Sequence, residues 1–472
     1  MTNPSSRTAI EVTCAAGTIV GLSDGVDARF RGIPFAEAPL GARRFAAPEA
    51  RAVFDEPFDA SGFGATPQRG RPYPVTMIPE PSVPGDDTLT LNVFTPIESI
   101  GEALLPVLVW IHGGGYTAGS AASPWYDGSA VTRDGIVFVS LSYRLGADGF
   151  VALDDAAAPG DDAAPRDDTA PDGRTNRGVA DWLLALAWVR DNIAAFGGDP
   201  HRVTVAGQSA GGGAVLTLLA SPPAQSLFSR AIAVSPIDLS IPLEQALRFT
   251  DALAASVGVA PTAEGLASVD QDALQDTVIH WSERNPGSDV LRLAPVSGDA
   301  LLPLSVRDGL SVSGLDKPLL IGSTTDEFDS PAVPEAERPF PRQTDILFRA
   351  SVLRTARARA SAAAGTWLYS FEWATPVFKG AAHCTDLPFF FDILSAEGVE
   401  AVLGDRPPAA LASRMHREFV DFVRGEEPSW PTAQGAADDA VLVFGAESSD
   451  ETRLVAGDYD AVLPLVDGDS AE

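Results

Sequence analysis

The stretch Gly207-Gln208-Ser209-Ala210-Gly211 sits between an apolar, β-branched run, Arg202-Val203-Thr204-Val205-Ala206, and a small-residue run from Gly212 to Leu219 with helical character. A strand that turns at once into a helix forces a strained backbone at the junction, and glycines on either side of a serine are what that turn tolerates. Such a turn lifts the serine hydroxyl clear of the sheet and marks a candidate nucleophile. A bare Gly-x-Ser-x-Gly also recurs by chance, so its surroundings must decide.

About a hundred residues upstream, Leu105-Pro106-Val107-Leu108-Val109-Trp110-Ile111 reads as a fully buried strand that runs into His112-Gly113-Gly114-Gly115-Tyr116. Without Cβ atoms, the N–H groups of such a loop can approach a developing oxyanion. The order strand, HGGG, strand, elbow is the order acyl transfer needs. Further buried strands are expected at Ile136–Ser142, Ala231–Ser235, Pro318–Gly322 and Thr366–Phe371. Helices are expected between several of these and at Ala409–Val423. From Gly178 to Phe196, apolar residues recur every three or four positions, an amphipathic helix ended by Gly197-Gly198-Asp199-Pro200. Strands alternating with helices argue for an α/β fold, a mostly parallel sheet covered on both faces, and the serine turn resembles the nucleophile elbow of the α/β-hydrolase fold.

The chain has 472 residues, 45% of them hydrophobic, and is read as one domain, residues 1–472. Residues 154–174 alternate Asp, Ala and Pro and cannot bury a core, so they are expected to form a mobile acidic surface loop. With 64 acidic against 33 basic residues the net charge is −31, which repels nucleic acid and anionic membrane surfaces as partners. The two cysteines, Cys14 and Cys384, give neither a disulfide framework nor metal-ligand spacing. Residues 1–7 lack a basic start leading into an apolar core, and no later run reaches the roughly 18 apolar residues of a membrane span. A cytoplasmic protein is expected.

If Ser209 is the nucleophile, an acid and a histidine should follow it in that order. Of the five histidines, His112 and His201 precede the serine and His280 precedes the best acids. His416 lies on a helix among Arg414, Arg417 and Glu418, where a solvated face is expected. His383 remains, in a loop beyond a predicted strand. The acid should follow the strand Leu319–Gly322, where Asp326, Glu327 and Asp329 compete. Asp299 is a fourth choice, and spacing does not choose among them.

Over about Gly17 to Pro431 the chain resembles the type B carboxylesterases, the family of bacterial para-nitrobenzyl esterases and animal cholinesterases. The resemblance rests on Gly32-Ile33-Pro34-Phe35-Ala36, Leu89-Thr90-Leu91-Asn92-Val93-Phe94, the HGGG loop, Ser142-Tyr143-Arg144-Leu145-Gly146, the elbow, and His383 with Asp386-Leu387-Pro388-Phe389. It implies that Glu327 is the acid, as the glutamate of a Gly-x-x-x-Asp-Glu motif beginning at Gly322. It also implies a three-donor oxyanion hole from Gly114, Gly115 and Ala210. Gln208 and Ser235 would stand behind the triad, with Ser235 helping to hold the acid. The activity implied is hydrolysis of small carboxylic esters through an acyl-enzyme on Ser209, with no metal and no cofactor. A lipase or amidase on the same fold is the alternative, and a non-catalytic binding protein a more distant one; oligomeric state is left open.

Several positions depart from the family pattern. Thr66-Pro67-Gln68 and Asp86-Asp87-Thr88 stand where many relatives carry a disulfide, which fits a reducing compartment. Gln208 stands where cholinesterases have glutamate, and Phe328 where a small residue usually follows the acid. The stretch from Glu327 to His383 is short, so a reduced helical roof over the active-site gorge is expected, together with an N-terminal β-hairpin region.

Overall fold

The computed structural model describes residues 7–67, 78–102, 104–153, 173–284, 293–329, 331, 344–446 and 449–468. The N-terminal hairpin is present as β1 (Thr8–Cys14) and β2 (Gly17–Ser23), which pair antiparallel from Thr8↔Ser23 to Cys14↔Gly17. They open a thirteen-stranded sheet with β3 (Asp27–Pro34), the short β4 (Phe58–Asp59) beside β2, and β5 (Thr90–Pro96). The sheet continues with β6 (Leu105–Ile111), β7 (Val137–Leu141), β8 (Gly198–Gln208) and β9 (Arg230–Val234). Two-residue strands β10 (Ile241–Pro242) and β11 (Val296–Ser297) pair apart from it. It is completed by β12 (Leu319–Thr324), β13 (Thr366–Phe371), β14 (Ala440–Phe444) and β15 (Thr452–Ala456).

The strand order is β1-β2-β3-β5-β7-β6-β8-β9-β12-β13-β14-β15. From β7 to β14 every pairing is parallel, and antiparallel pairs flank that centre on both sides. Parallel strands are covered on both faces, which is why the sequence shows them as unbroken apolar runs. Alternate residues of each strand then feed opposite cores. On β6, Val107, Val109 and Ile111 belong to one core while Leu108 and Trp110 belong to the other. Each such fully buried aliphatic or aromatic side chain is worth roughly 1.5–3 kcal/mol over leaving it in water. The first core is roofed by the helix Arg177–Asn192, the second by Ala409–Arg424.

The helix expected over 178–196 closes at Asn192 and tightens into a 3-10 turn, Ile193–Phe196, ended by Gly197 at φ 87°. The expectation for His416 is overturned. It is on the second helix but buried, with ring nitrogens facing the Phe390 carbonyl and, at 3.0 Å, the Asp134 carboxylate. Its charged sequence neighbours lie elsewhere around the helix, and its own face is that of Ala412, Phe419 and Val420. The acidic stretch 154–172 lies outside the described residues, and so does most of the shortened segment from Asp329 to Glu335. No helix among the described residues is long and apolar enough to cross a membrane.

Candidate active site

The elbow forms where β8 runs straight into the helix Ala210–Ala220, with Ser209 between them at φ 59°, ψ −122°. That conformation is costly for any residue with a side chain and persists only when the surroundings enforce it. Here the Ser209 N–H donates to the Val234 carbonyl at 2.9 Å and its carbonyl accepts from Gly213 N–H at 2.8 Å. Glycine is required on both sides. A Cβ on Gly207 would lie 2.4 Å from the Gly211 carbonyl oxygen, and one on Gly211 would lie 2.1 Å from that of Ile111. Ser209 is 8% exposed, and its hydroxyl makes no hydrogen bond among the described residues.

The HGGG loop leaves the end of β6 and lies directly against the elbow, since a Cβ on Gly113 would approach Ser209 Cβ to 3.1 Å. Gly114 (φ 110°) and Gly115 (φ 61°) turn the chain, and Ala118 N–H closes the turn onto the Gly114 carbonyl at 2.9 Å. His112 is buried and stacks on Tyr143 with ring centroids 4.6 Å apart, while the Tyr143 hydroxyl donates to the His112 carbonyl at 3.0 Å. The next residue, Arg144, makes a buried two-point pair with Asp181 at 2.7 and 3.0 Å. The N–H groups of Gly114, Gly115 and Ala210 donate to no acceptor among the described residues. Three free donors beside a strained serine can receive one developing negative charge.

Four carboxylates competed for the role of acid, and their positions separate them. Asp299 binds Asn176 and Thr175 at 2.7 and 2.6 Å. Asp326 accepts from Ala381 N–H at 3.0 Å, and Asp329 from Thr344 N–H at 3.0 Å. Glu327 alone turns inward, with Oε2 in short contact with His383 Nδ1. Its other oxygen accepts from Thr324 N–H at 2.9 Å, and its carbonyl from His383 N–H at 2.9 Å. The Ser235 hydroxyl makes no bond to Glu327. Ser235 is buried, its N–H donates to the Gly322 carbonyl, and its hydroxyl has no partner among the described residues, while the N–H of Thr324 donates to Glu327.

The sequence marked Gln208 as standing behind the triad and Phe328 as a departure from the family pattern, but gave no sign that both touch His383. Phe328 and Phe348 pack against the imidazole with centroids 4.8 and 4.9 Å away and 5.2 Å from each other, forming an aromatic corner that fixes the ring. The amide nitrogen of Gln208 lies 3.0 Å from His383 Nε2. Nearby, burial pushes the Cys384 thiol well above its ordinary range, helped by Asp386 and Glu327 and only partly offset by a hydrogen bond with Gln208, so it stays protonated. Burial, with the Glu327 charge second, also raises the Asp386 carboxyl to about 8.

The carboxylesterase family model matches residues 7–344. The chain is 33% identical to the para-nitrobenzyl esterase of Bacillus subtilis, over 89% of this chain and 92% of that protein. It is 32% identical to the phenmedipham hydrolase of Pseudarthrobacter oxydans, over 93% and 96%. Among solved structures, a thermophilic PNB esterase superposes with a TM-score of 0.81 at 26% identity, covering 97% of this chain and all of that one. The carboxylesterase of Geobacillus stearothermophilus superposes with a TM-score of 0.76 at 30% identity, covering 96% and 99%. The chain therefore belongs to the carboxylesterase family and is a carboxylic ester hydrolase on the α/β-hydrolase fold.

Proposed function

We propose that Ser209, His383 and Glu327 form the catalytic triad and that Gly114, Gly115 and Ala210 form the oxyanion hole. The observation that carries this reading is the buried Glu327–His383 contact beside the elbow, which leaves Nδ1 as the donor and Nε2 as the proton acceptor. As Ser209 Oγ attacks the ester carbonyl, its proton passes to Nε2 and the carbonyl electrons move onto oxygen. The three N–H groups receive that charge, each worth about 3 kcal/mol of barrier. Collapse breaks the bond to the alkoxide, which leaves as the alcohol with the proton from Nε2. Water then repeats the sequence on the acyl-serine and releases the carboxylic acid. Glu327 stabilises the imidazolium formed in each half.

On this reading the whole chain is one domain acting on a small-molecule ester in the cytoplasm. Thr66 and Thr88, which stand where many relatives have paired cysteines, support a reducing compartment. A fluorophosphonate probe should label Ser209 alone. Ser209→Ala and His383→Ala should each lower kcat by roughly 10⁴-fold, and the double variant should be hardly worse than either, since the residues act as a unit. Near-normal turnover of Ser209→Ala would end this reading.

A further inference from the structure

The imidazole of His383 has one lone pair to offer, and in this structure it is already engaged. Nδ1 faces the Glu327 carboxylate and so carries the ring proton. At Nε2 stands the Gln208 amide nitrogen, 3.0 Å away, a group that can donate but not accept. Gln208 is 1% exposed and His383 2%, so the bond is made in a low-dielectric setting that strengthens it.

We propose that Gln208 is a positioning residue acting through His383: its amide holds the imidazole in the neutral, Nδ1-protonated form and must turn away before Nε2 takes the Ser209 proton. The inference rests on the triad assignment made above. A donor aimed at Nε2 favours the neutral ring, because an imidazolium would set two N–H groups head to head. Once Nε2 is protonated, rotation of the last glutamine torsion, which is broad and roughly two-fold, presents Oε1 as an acceptor instead. Gly113 leaves the space for this, since a Cβ there would stand 2.8 Å from Gln208 Oε1. The ionisable groups around the ring are Glu327 at Nδ1, Cys384 and Asp386 on its own loop, Asp326 bonded to that loop through Ala381, and Glu80, which accepts from Gly119 N–H beyond the HGGG turn. None of them changes charge when Gln208 alone is replaced; Cys384, which also shares a hydrogen bond with Gln208, is kept protonated by burial, so a shift in proton affinity reports residue 208.

The test is the pH profile of kcat/KM for 4-nitrophenyl butyrate in the wild type, Gln208→Met and Gln208→Glu. Methionine keeps the shape without the donor, and its acid limb should move up by about 0.5–1 pH unit. Glutamate can only accept, and its limb should move up by about 1 unit or more. A role confined to packing lowers the rate equally at every pH. Limbs that coincide with the wild type within about 0.2 unit would overturn the proposal, whatever the plateau. Imidazole ¹⁵N spectra of the wild type give a second measurement that needs no Gln208 variant. With five histidines in the chain, the His383 signals are assigned by their loss in His383→Gln. Above the acid limb they should show a proton on Nδ1 and a hydrogen-bonded, unprotonated Nε2; a proton on Nε2 would refute the proposal. If the triad reading itself were wrong, Ser209→Ala would keep its turnover. If only this inference were wrong, activity would still require Ser209 while the limbs stayed together.

Discussion

Asp386→Asn should make the protein more stable, and increasingly so as pH rises. Asp386 stands at the start of the short helix Leu387–Phe390 with no side-chain capping bond, wholly buried, with Oδ1 unpartnered among the described residues and Oδ2 3.5 Å from the Tyr369 hydroxyl. Burial first, and the charge on Glu327 second, raise its carboxyl from 3.8 to about 8. The folded protein therefore keeps a proton that the unfolded chain gives up near pH 4. The stability tied to this proton is fully present below the unfolded value and lost as pH climbs through the folded one. Each pH unit in that window removes about 1.4 kcal/mol, which comes to about 4 kcal/mol by pH 7 and 5–6 kcal/mol by pH 8. Against a total stability of about 5–15 kcal/mol that is a large share. Asparagine has the same shape and never ionises. Urea unfolding of both proteins at intervals from pH 4.5 to 8.5 should give midpoints that nearly agree at the acid end and diverge steadily above it. Curves that stay parallel across the range would refute the argument.

Two further substitutions probe the framework. Glu327→Gln should lower kcat by roughly 10³–10⁴-fold with the unfolding midpoint kept, because an amide cannot stabilise the imidazolium. Asp326→Asn weakens a bond to Ala381 and should act on thermal stability far more than on turnover; an exchange of these two results would reassign the acid. Asp181→Asn strips the partner from the buried Arg144 guanidinium and should cost about 3–5 kcal/mol in denaturant unfolding, whereas Asp181→Leu combined with Arg144→Met should cost less. A double variant less stable than the single one would contradict the desolvation argument.

The parts legible from sequence are those in which burial writes a pattern. β6 and β13 have the bounds expected of them because strands covered on both faces are apolar throughout. The elbow and the HGGG loop were legible because close backbone approach admits only glycine. The residues by themselves did not choose among Asp326, Glu327 and Asp329, which differ only in how one tight turn aims them; the family resemblance alone pointed to Glu327. The bond between Gln208 and His383 joins residues 175 positions apart and leaves no local trace. The misreading of His416 shows the same limit: composition along the chain gave charge, while helical geometry set the residue among Ala412, Phe419 and Val420.

The HGGG loop, the serine, the glutamate and the histidine each follow the end of a parallel strand, β6, β8, β12 and β13 in turn, all within one run of the sheet. For the loop, the serine and the glutamate, which lie within a few residues of their strand ends, the separations are set by strand spacing and register; His383, well past the end of β13, is brought back by its bonds to Glu327. Connections that carry none of these residues, such as that from Val234 to Leu319, are under no such constraint and can lengthen, shorten or be replaced without moving them. Reactivity and selectivity are therefore separable inheritances in this architecture. A connecting segment transplanted from a relative should change which esters reach Ser209 while the chemical step keeps its rate, and that makes the sheet a chassis for directed changes of substrate.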